Sequence, residues 1–325
     1  MAQATGTTDT YDLNGLAEDV ENVIFNISPM DTYMLTKLKR KSVTATFHQW
    51  QTDALAAPGA NAHVEGDDST YAAVSPTVML GNYTQISKKS LMVSGTADKV
   101  KKYGRAKEFA YQIAKKGKEI KRDIETRILG NGPSHEGGSG TARLSAGLES
   151  MLSKNAIRPT AASSHTTPGY AGGIWAAPTD GTATATFSES LMLSAIQAAW
   201  NEGGDPTLVL LPAFQKRKAA EFNGAAKYDG VVRSQSGKAQ AAVVGGVDLY
   251  ISDFGSHDLR LTRYMRSSTV FALDMEYLSM GFLRPIHFEE RAKTGDAERG
   301  ELLCEWTLIA DNPDASAKIA DLYSV

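Results

Sequence analysis

Apolar residues recur every three or four positions between Arg105 and Leu129. Ala106, Phe109, Ala110, Ile113, Gly117, Ile120, Ile124 and Ile128 form one stripe, which predicts a single long amphipathic helix. The opposite face carries Lys107, Glu108, Lys115, Lys116, Lys118, Glu119, Lys121, Arg122, Asp123 and Glu125. Glu119–Arg122 and Glu108–Gln112 stand side by side at these spacings. At 1.5 Å per residue the segment spans roughly 37 Å. Gly130-Asn131-Gly132-Pro133 ends it, because glycine accepts a left-handed cap and proline cannot continue the ladder.

The chain ahead of this helix does not read as a domain that closes on itself. Met1–Thr10 is small and polar, the composition of an end that stays disordered in isolation. Leu13–Ile27 places Leu16, Val20, Val23, Ile24 and Ile27 on one side, and Ser28-Pro29 stops it. Thr32–Leu38 is a short apolar patch flanked by Lys37, Lys39, Arg40 and Lys41, a solvated charge run or a meeting point for an acidic neighbour or nucleic acid. Val43–Leu55 alternates as a strand, with Val43, Ala45 and Phe47 on one face and Thr44, Thr46, His48, Trp50 and Thr52 on the other. Val78–Val93 reads as its returning partner, and Ala56–Pro76 between them as a flexible tip. A long two-stranded ribbon is marginal alone in water, so it packs either on its own domain or on another subunit.

Behind the helix the pattern changes twice. Gly137–Gly147 is a small-residue turn region leading to Leu148–Leu152, and Ala161–Ala185 reads as a surface insertion. Thr186-Phe187-Ser188-Glu189 has the form of a capping box, opening a helix through Leu191, Ala195, Ala198, Ala199 and Trp200. A buried strand at Thr207–Leu211, a short helix from Pro212 to Phe222 and a strand pair at Val243–Ser252 with a Gly245-Gly246 turn complete an α/β lobe over about 150–264. Thr269–Leu273, Tyr277–Leu283, Ile286–Ala292 and Leu302–Ala310 read as strands, the last two joined by a Lys293-Thr294-Gly295-Asp296 turn. With the long helix they predict a second lobe, giving an α+β fold class.

Composition narrows the function more than it names it. The chain has 325 residues, 42% hydrophobic, with 34 basic and 37 acidic residues and a net charge of −3. That balance argues against a nucleic-acid-binding module, which needs a concentrated basic face, though it leaves room for non-specific contact. The one cysteine, Cys304, allows no intrachain disulfide and no multi-cysteine zinc site, and its alternation with Leu302 and Trp306 makes it a packing residue. Met1–Gly15 has neither a basic start nor an apolar stretch, and no run of about 18 apolar residues predicts a membrane-crossing helix.

Chemical motifs are near-misses. The histidines, His48, His63, His135, His165, His257 and His287, include no i, i+4 pair. Gly130–Gly140 lacks the terminal Gly-Lys-Ser/Thr of a phosphate loop, and Gly237-Lys238 is followed by Ala239. Gly138-Ser139-Gly140 meets Thr141 where a nucleophile elbow needs glycine, and Lys293-Thr294-Gly295 lacks its Ser-x-x-Lys companion. Glu65-Gly66-Asp67-Asp68 reads as a solvated acidic loop rather than a cation site. The expectation is therefore no catalytic, cofactor-binding or metal-binding residue, and no enzyme.

Several segments together resemble a family of tailed-bacteriophage major capsid proteins. They are Asp12-Leu13-Asn14-Gly15-Leu16, Gln49-Trp50-Gln51-Thr52-Asp53-Ala54-Leu55, Glu65-Gly66-Asp67-Asp68, Gly81-Asn82-Tyr83-Thr84-Gln85-Ile86 and Val93-Ser94-Gly95-Thr96. The similarity continues through Ala110-Tyr111-Gln112, Ala114-Lys115-Lys116-Gly117-Lys118-Glu119, Gly138-Ser139-Gly140-Thr141-Ala142-Arg143, Gly203-Gly204-Asp205-Pro206 and Ala292-Lys293-Thr294-Gly295-Asp296. The resemblance implies the capsid fold shared with the herpesvirus shell floor and encapsulins. Its parts would be an N-terminal arm at 1–42, an extended β-hairpin loop at 43–95, and a peripheral domain at 96–149 with the spine helix. An axial domain at 150–264 would carry a surface insertion at about 155–185, and 265–325 would complete the peripheral sheet.

The implied function is a virion shell of pentamers and hexamers enclosing double-stranded DNA, assembled in the host cytoplasm. The implied partners are other copies of the chain, a portal, a scaffold, a decoration protein and packaged DNA in non-specific contact, with no membrane and no cofactor. An encapsulin-like compartment, or a hydrolase with an unrecognised site, are the alternatives. Assembly would run through side chains that one subunit leaves uncovered: Val20, Ile24, Phe47, Trp50, Ile86 and Leu91 on the arm and ribbon. Glu289, Arg291, Lys293, Asp296 and Arg299 on the last hairpin would add salt-bridged contacts, unless they are simply solvated.

Overall fold

The long helix predicted from the apolar stripe is present over Glu108–Ile128, with the rest of the chain arranged about it. The computed structural model describes residues 31–68, 71, 73–74, 76–158, 165–181, 184–222 and 248–324. Val20, Ile24 and the segment Leu13–Ile27, with Gly245-Gly246, lie outside the described residues. In chain order the elements are α1 (Tyr33–Lys37), β1 (Lys39–Ser42), β2 (Phe47–Thr52), β3 (Val78–Tyr83), β4 (Gln85–Ser94), α2 (Gly95–Lys99), α3 (Glu108–Ile128), α4 (Leu148–Met151), β5 (Ala156–Ile157), β6 (Tyr170–Ala171) and β7 (Ile174–Trp175). There follow α5 (Glu189–Asn201), β8 (Leu208–Leu211), α6 (Ala213–Ala219), β9 (Leu249–Ser252), β10 (Gly255–Leu261), β11 (Val270–Leu273), β12 (Leu278–Arg291), β13 (Ala297–Ala310) and β14 (Ala317–Ile319).

α3 starts three residues later than its apolar pattern because Asp98, on α2, takes its first amides. The Asp98 carboxylate accepts Glu108 N–H at 2.9 Å and Phe109 N–H at 3.2 Å, and these bonds hold its pKa below the ordinary range. At the other end Gly130 is not left-handed; Arg127 instead donates to the carbonyls of Ser145 (2.9 Å) and Pro133 (2.7 Å) and ties the helix to the following turn. Glu108 meets Gln112 at 2.7 Å as expected, whereas Glu119 pairs with Lys116 at 2.8 Å and Arg122 lies over the Tyr264 ring. Ile120, Ile124 and Ile128 are fully buried, but Phe109, Ile113 and Gly117 are half-buried and Ala106 and Ala110 exposed. Glu125, expected on the polar face, is fully buried. Its carboxylate accepts the amides of Met34 (2.9 Å) and Leu35 (2.8 Å), pinning α1 against the rod, while burial raises its pKa.

Two sheets flank this rod. The first has the order β1-β12-β13-β4. Tyr277–Leu283 and Ile286–Ala292 are one strand, not two; β12 runs through both with register shifts on either side of Arg284, beside Pro285, which has no N–H for the ladder. The turn into β13 holds Gly295 at φ 75°, a conformation natural to glycine. The extended loop also divides. Only Val78–Tyr83 pairs with β2, whereas β4 pairs along β13 from Gln85↔Trp306 to Ser94↔Ala297, because β13 offers it a longer partner. Val43 leaves the ribbon too, and is buried with its N–H on the Phe282 carbonyl.

The second sheet has the order β5-β14-β11-β8-β10-β9. It takes β11 and β14 from the C-terminal segment, so a boundary at 264/265 does not separate the sheets. The reason is pairing: β8 needs a neighbour on each side and finds β10 on one and β11 on the other. Alternate residues then face two cores. Leu208, Leu210, Phe271 and Leu273 join Met34, Ile120, Ile124, Ile128, Trp306 and Leu308, while Val209, Leu211, Val270, Ala272 and Ile319 join Met192, Ala195, Ile196 and Ala199 of α5. The cap of α5 is Ser188, whose hydroxyl accepts Leu191 N–H; Glu189 instead accepts a 2.6 Å hydrogen bond from the Tyr250 hydroxyl.

The expected surface insertion is not wholly on the surface. Trp175 is one of the largest fully buried side chains. Its indole N–H donates to the Gly81 carbonyl at 2.9 Å, and its backbone exchanges hydrogen bonds with Ser134.

Candidate assembly surface

The β2–β3 ribbon is rooted firmly and ends loosely. At the root Asn82 is fully buried: its amide donates to Ser145 Oγ (3.1 Å) and the Leu308 carbonyl (2.8 Å), and its oxygen accepts Ala146 N–H (3.0 Å). Phe47 and Tyr83 stack across the strands with centroids 4.5 Å apart. Gly81 leaves room for the Phe47 ring, which would lie 2.7 Å from a Cβ there. Trp50 is half-buried against the main core, and burial together with Lys41 lowers the His48 pKa. Beyond Thr52 the described residues up to Thr77 form no helix or strand. In that stretch Leu55 is 99% exposed, Tyr71 95%, Val74 93% and Val64 80%.

Of the residues expected to be uncovered, Ile86 is 46% exposed, whereas Phe47 and Trp50 are half-covered by their own chain. Leu91 is a correction: it is buried, because β4 lies along α3 and turns Leu91 inward. The next residue, Met92, points the other way and is 62% exposed. Sequence reasoning passed over it, although alternation within the strand pointed to it.

Most charged residues of the β12–β13 hairpin find partners within it. Glu289 contacts His287 (2.9 Å) and Arg291 (3.1 Å), Arg291 reaches Glu301 (2.8 Å), Lys293 reaches Glu298 (3.3 Å) and Arg299 donates to the Thr294 hydroxyl (3.2 Å). The Asp296 carbonyl accepts Gly95 N–H and fastens the turn to α2. Bonding to Pro285 and Glu289 raises the His287 pKa. Register places His287, Glu289, Arg291, Arg299, Glu301, Ile86 and Met92 on the sheet face turned away from α3. The result is a ladder of alternating charge bordered by two apolar side chains, suited to a partner of matching alternation.

Groups capable of chemistry have structural duties. Burial pushes the Cys304 thiol up to about 12. Buried His257 is held between the Pro206 carbonyl and the Ser252 hydroxyl, each at 2.6 Å, in a hairpin turn where Ser252 also accepts Phe254 N–H. Among the described residues no cluster of His, Cys, Asp and Glu has metal-site geometry, and no helix is long and apolar enough to cross a membrane.

A family model described as SU10 major capsid protein matches residues 3–323. The major capsid protein of Escherichia phage Phieco32 is 41% identical over 151 residues, which is 46% of this chain and 40% of that relative's length. The capsid asymmetric unit of Cyanophage A-1(L) shares the fold, with a TM-score of 0.65 at 13% identity over 97% of this chain and 99% of that one. So does the holo-SrpI encapsulin complex of Synechococcus elongatus PCC 7942, with a TM-score of 0.56 at 9% identity over 94% and 92%.

Proposed function

The chain belongs to the SU10 major capsid protein family, and from that premise we propose that it is the repeating subunit of a phage head. In this reading copies of it, grouped as pentamers and hexamers, close into a shell around double-stranded DNA. The role is structural, with no catalytic step, and its place is the virion. Portal, scaffold and decoration proteins are the further partners the reading calls for, with assembly in the host cytoplasm. Family membership and the Phieco32 relative favour a phage head over an encapsulin compartment.

The observation that carries the reading is the extended loop. A rigid root at Asn82 and Trp175 presents Leu55, Val64, Tyr71 and Val74 almost wholly to solvent. Burying each large apolar side chain on a neighbour is worth about 1.5–3 kcal/mol before the entropy of ordering the loop is subtracted. Each contact is therefore weak, misplaced subunits can leave, and the shell is strengthened by repetition. A Leu55→Asp, Tyr71→Asp double variant should keep the circular dichroism of the wild type and lose shells in electron micrographs. Normal shells from that variant would remove the loop from the assembly surface, and wild-type protein that stays a monomer at every concentration would remove the shell.

A further inference from the structure

The charges of α3 are segregated around the rod in a way that its sequence alone conceals. Its accessible carboxylates are matched: Glu108 pairs with Arg105, Glu119 with Lys116 at 2.8 Å, and Asp123 with Lys89 of β4 at 2.6 Å. Glu125, the remaining acid of the helix, is buried against α1. At 100° per residue these three matched acids fall on one flank, while Lys107, Lys115, Lys118 and Lys121 fall on the adjoining arc, which also holds Arg122, packed on Tyr264, and the buried Glu125. All four lysines are exposed. None makes an ion pair or hydrogen bond with a described residue; Lys107 and Lys115 act only at longer range, on Asp98 and Glu119. The ridge is about 21 Å long at 1.5 Å per residue. That length matches about six base-pair steps of duplex DNA at 3.4 Å each.

We propose that this ridge of exposed lysines on α3 is a contact surface for the phosphate backbone of duplex DNA, and that it marks the side of the subunit facing the shell interior. The inference rests on the shell reading above, which supplies the enclosed polyanion. Charge complementarity selects the occupant: four exposed ammonium groups without an ion-pair partner among the described residues, carried on a rigid rod in a chain whose net charge is −3, suit an extended anion. Lysine presents a point charge without the planar fork that reads base edges, so the contact is independent of sequence. The opposite face of the four-stranded sheet, with its self-satisfied charges and exposed Ile86 and Met92, is then the side free for protein.

The test uses full-length Lys115→Gln/Lys118→Gln/Lys121→Gln protein beside a triple Lys→Arg control. Unassembled subunits are titrated with a 30-base-pair duplex over a range of salt. The Gln variant should bind more weakly at low salt, with the slope of log K against log salt shallower by about 2–3, as expected for about three lost phosphate contacts; the Arg control should keep the wild-type slope. Micrographs of the same variant report separately on the shell. Normal shells with unchanged DNA binding overturn the ridge and leave the shell standing, whereas failure of the wild type to form shells overturns the shell itself. A polyglutamate peptide that competes better than duplex of equal charge assigns the ridge to an acidic protein and overturns the DNA assignment. Labelling of assembled, DNA-free shells by a shell-impermeant amine reagent should spare these lysines; equal labelling in shells and free subunits overturns their inward orientation.

Discussion

The six-stranded sheet and the outer half of the four-stranded sheet are built from similar strands and meet different fates. In the first, both faces of the inner strands β14, β11 and β8 are covered by the same chain, α5 on one side and the spine-helix core on the other, while the β10–β9 edge leaves Leu249, Ile251 and Leu261 exposed. The second is buried on both faces only near its base, where Trp306 and Thr307, on opposite faces of β13, are both fully buried. Toward the hairpin tip its two faces open, leaving Phe288 partly exposed on one and Met92 exposed on the other. The difference separates two tasks. A closed core supplies the stability of the subunit, and a half-covered sheet, ribbon and loop supply the surface that other copies would bury in the proposed shell.

Three experiments probe that contrast. The largest effect belongs to the closed core. Trp306→Ala removes a fully buried indole that donates to Ser87 Oγ, and should lower stability by about 3–5 kcal/mol in urea denaturation. Met92→Lys, at the open end of the same sheet, should change it by less than about 0.5 kcal/mol while impairing shells. Equal losses from the two would erase the distinction. A smaller effect is expected at the root of the ribbon. Trp175→Phe leaves the Gly81 carbonyl without its donor, and should cost about 1–2 kcal/mol and speed hydrogen exchange of β3 amides ahead of β8 amides.

A last experiment tests a buried charge of the closed core. Lys318 is fully buried, donates to the Glu149 carbonyl and stands in a cluster where Arg266 meets Glu149 at 2.8 Å and Arg158 meets Asp321. Burial pushes its pKa from 10.5 down to about 8. Between those values the unfolded chain holds the proton more often than the folded one, so stability rises with pH from about 8 toward 10.5. Lys318→Met should abolish that rise and raise stability near pH 7, each by an amount on the order of 1 kcal/mol. The readout is the difference between the two proteins' urea midpoints across that range; a constant difference would show the ammonium to be fully compensated.

Much of this organisation is legible in local pattern. The rod, the strand at Thr207–Leu211 and the Lys293–Asp296 turn follow from apolar period and turn chemistry, which act between residues close in sequence. Errors gather where distant segments compete for the same partner. Val78–Val93 reads as one strand, yet Tyr83 ends its pairing with β2 and Gln85 begins its pairing with β13, because the longer ladder captures the second half. Leu91 and Met92 look alike as strand residues, and only the position of α3 decides which is covered. Trp175 lies in a stretch poor in apolar residues, and its burial depends on a carbonyl 94 positions away.

The same division holds for the surface that matters. Period alone placed Lys107, Lys115, Lys118 and Lys121 on the polar side of a helix and grouped Glu125 with them. Which acids are matched, which one is buried, and which lysines remain uncompensated were settled by contacts with β4, α1 and α2, because ion pairing and burial depend on distance through space rather than along the chain. The sequence therefore specified a rod with a greasy stripe and a charged back; the folded neighbours alone determined which part of that back carries net charge.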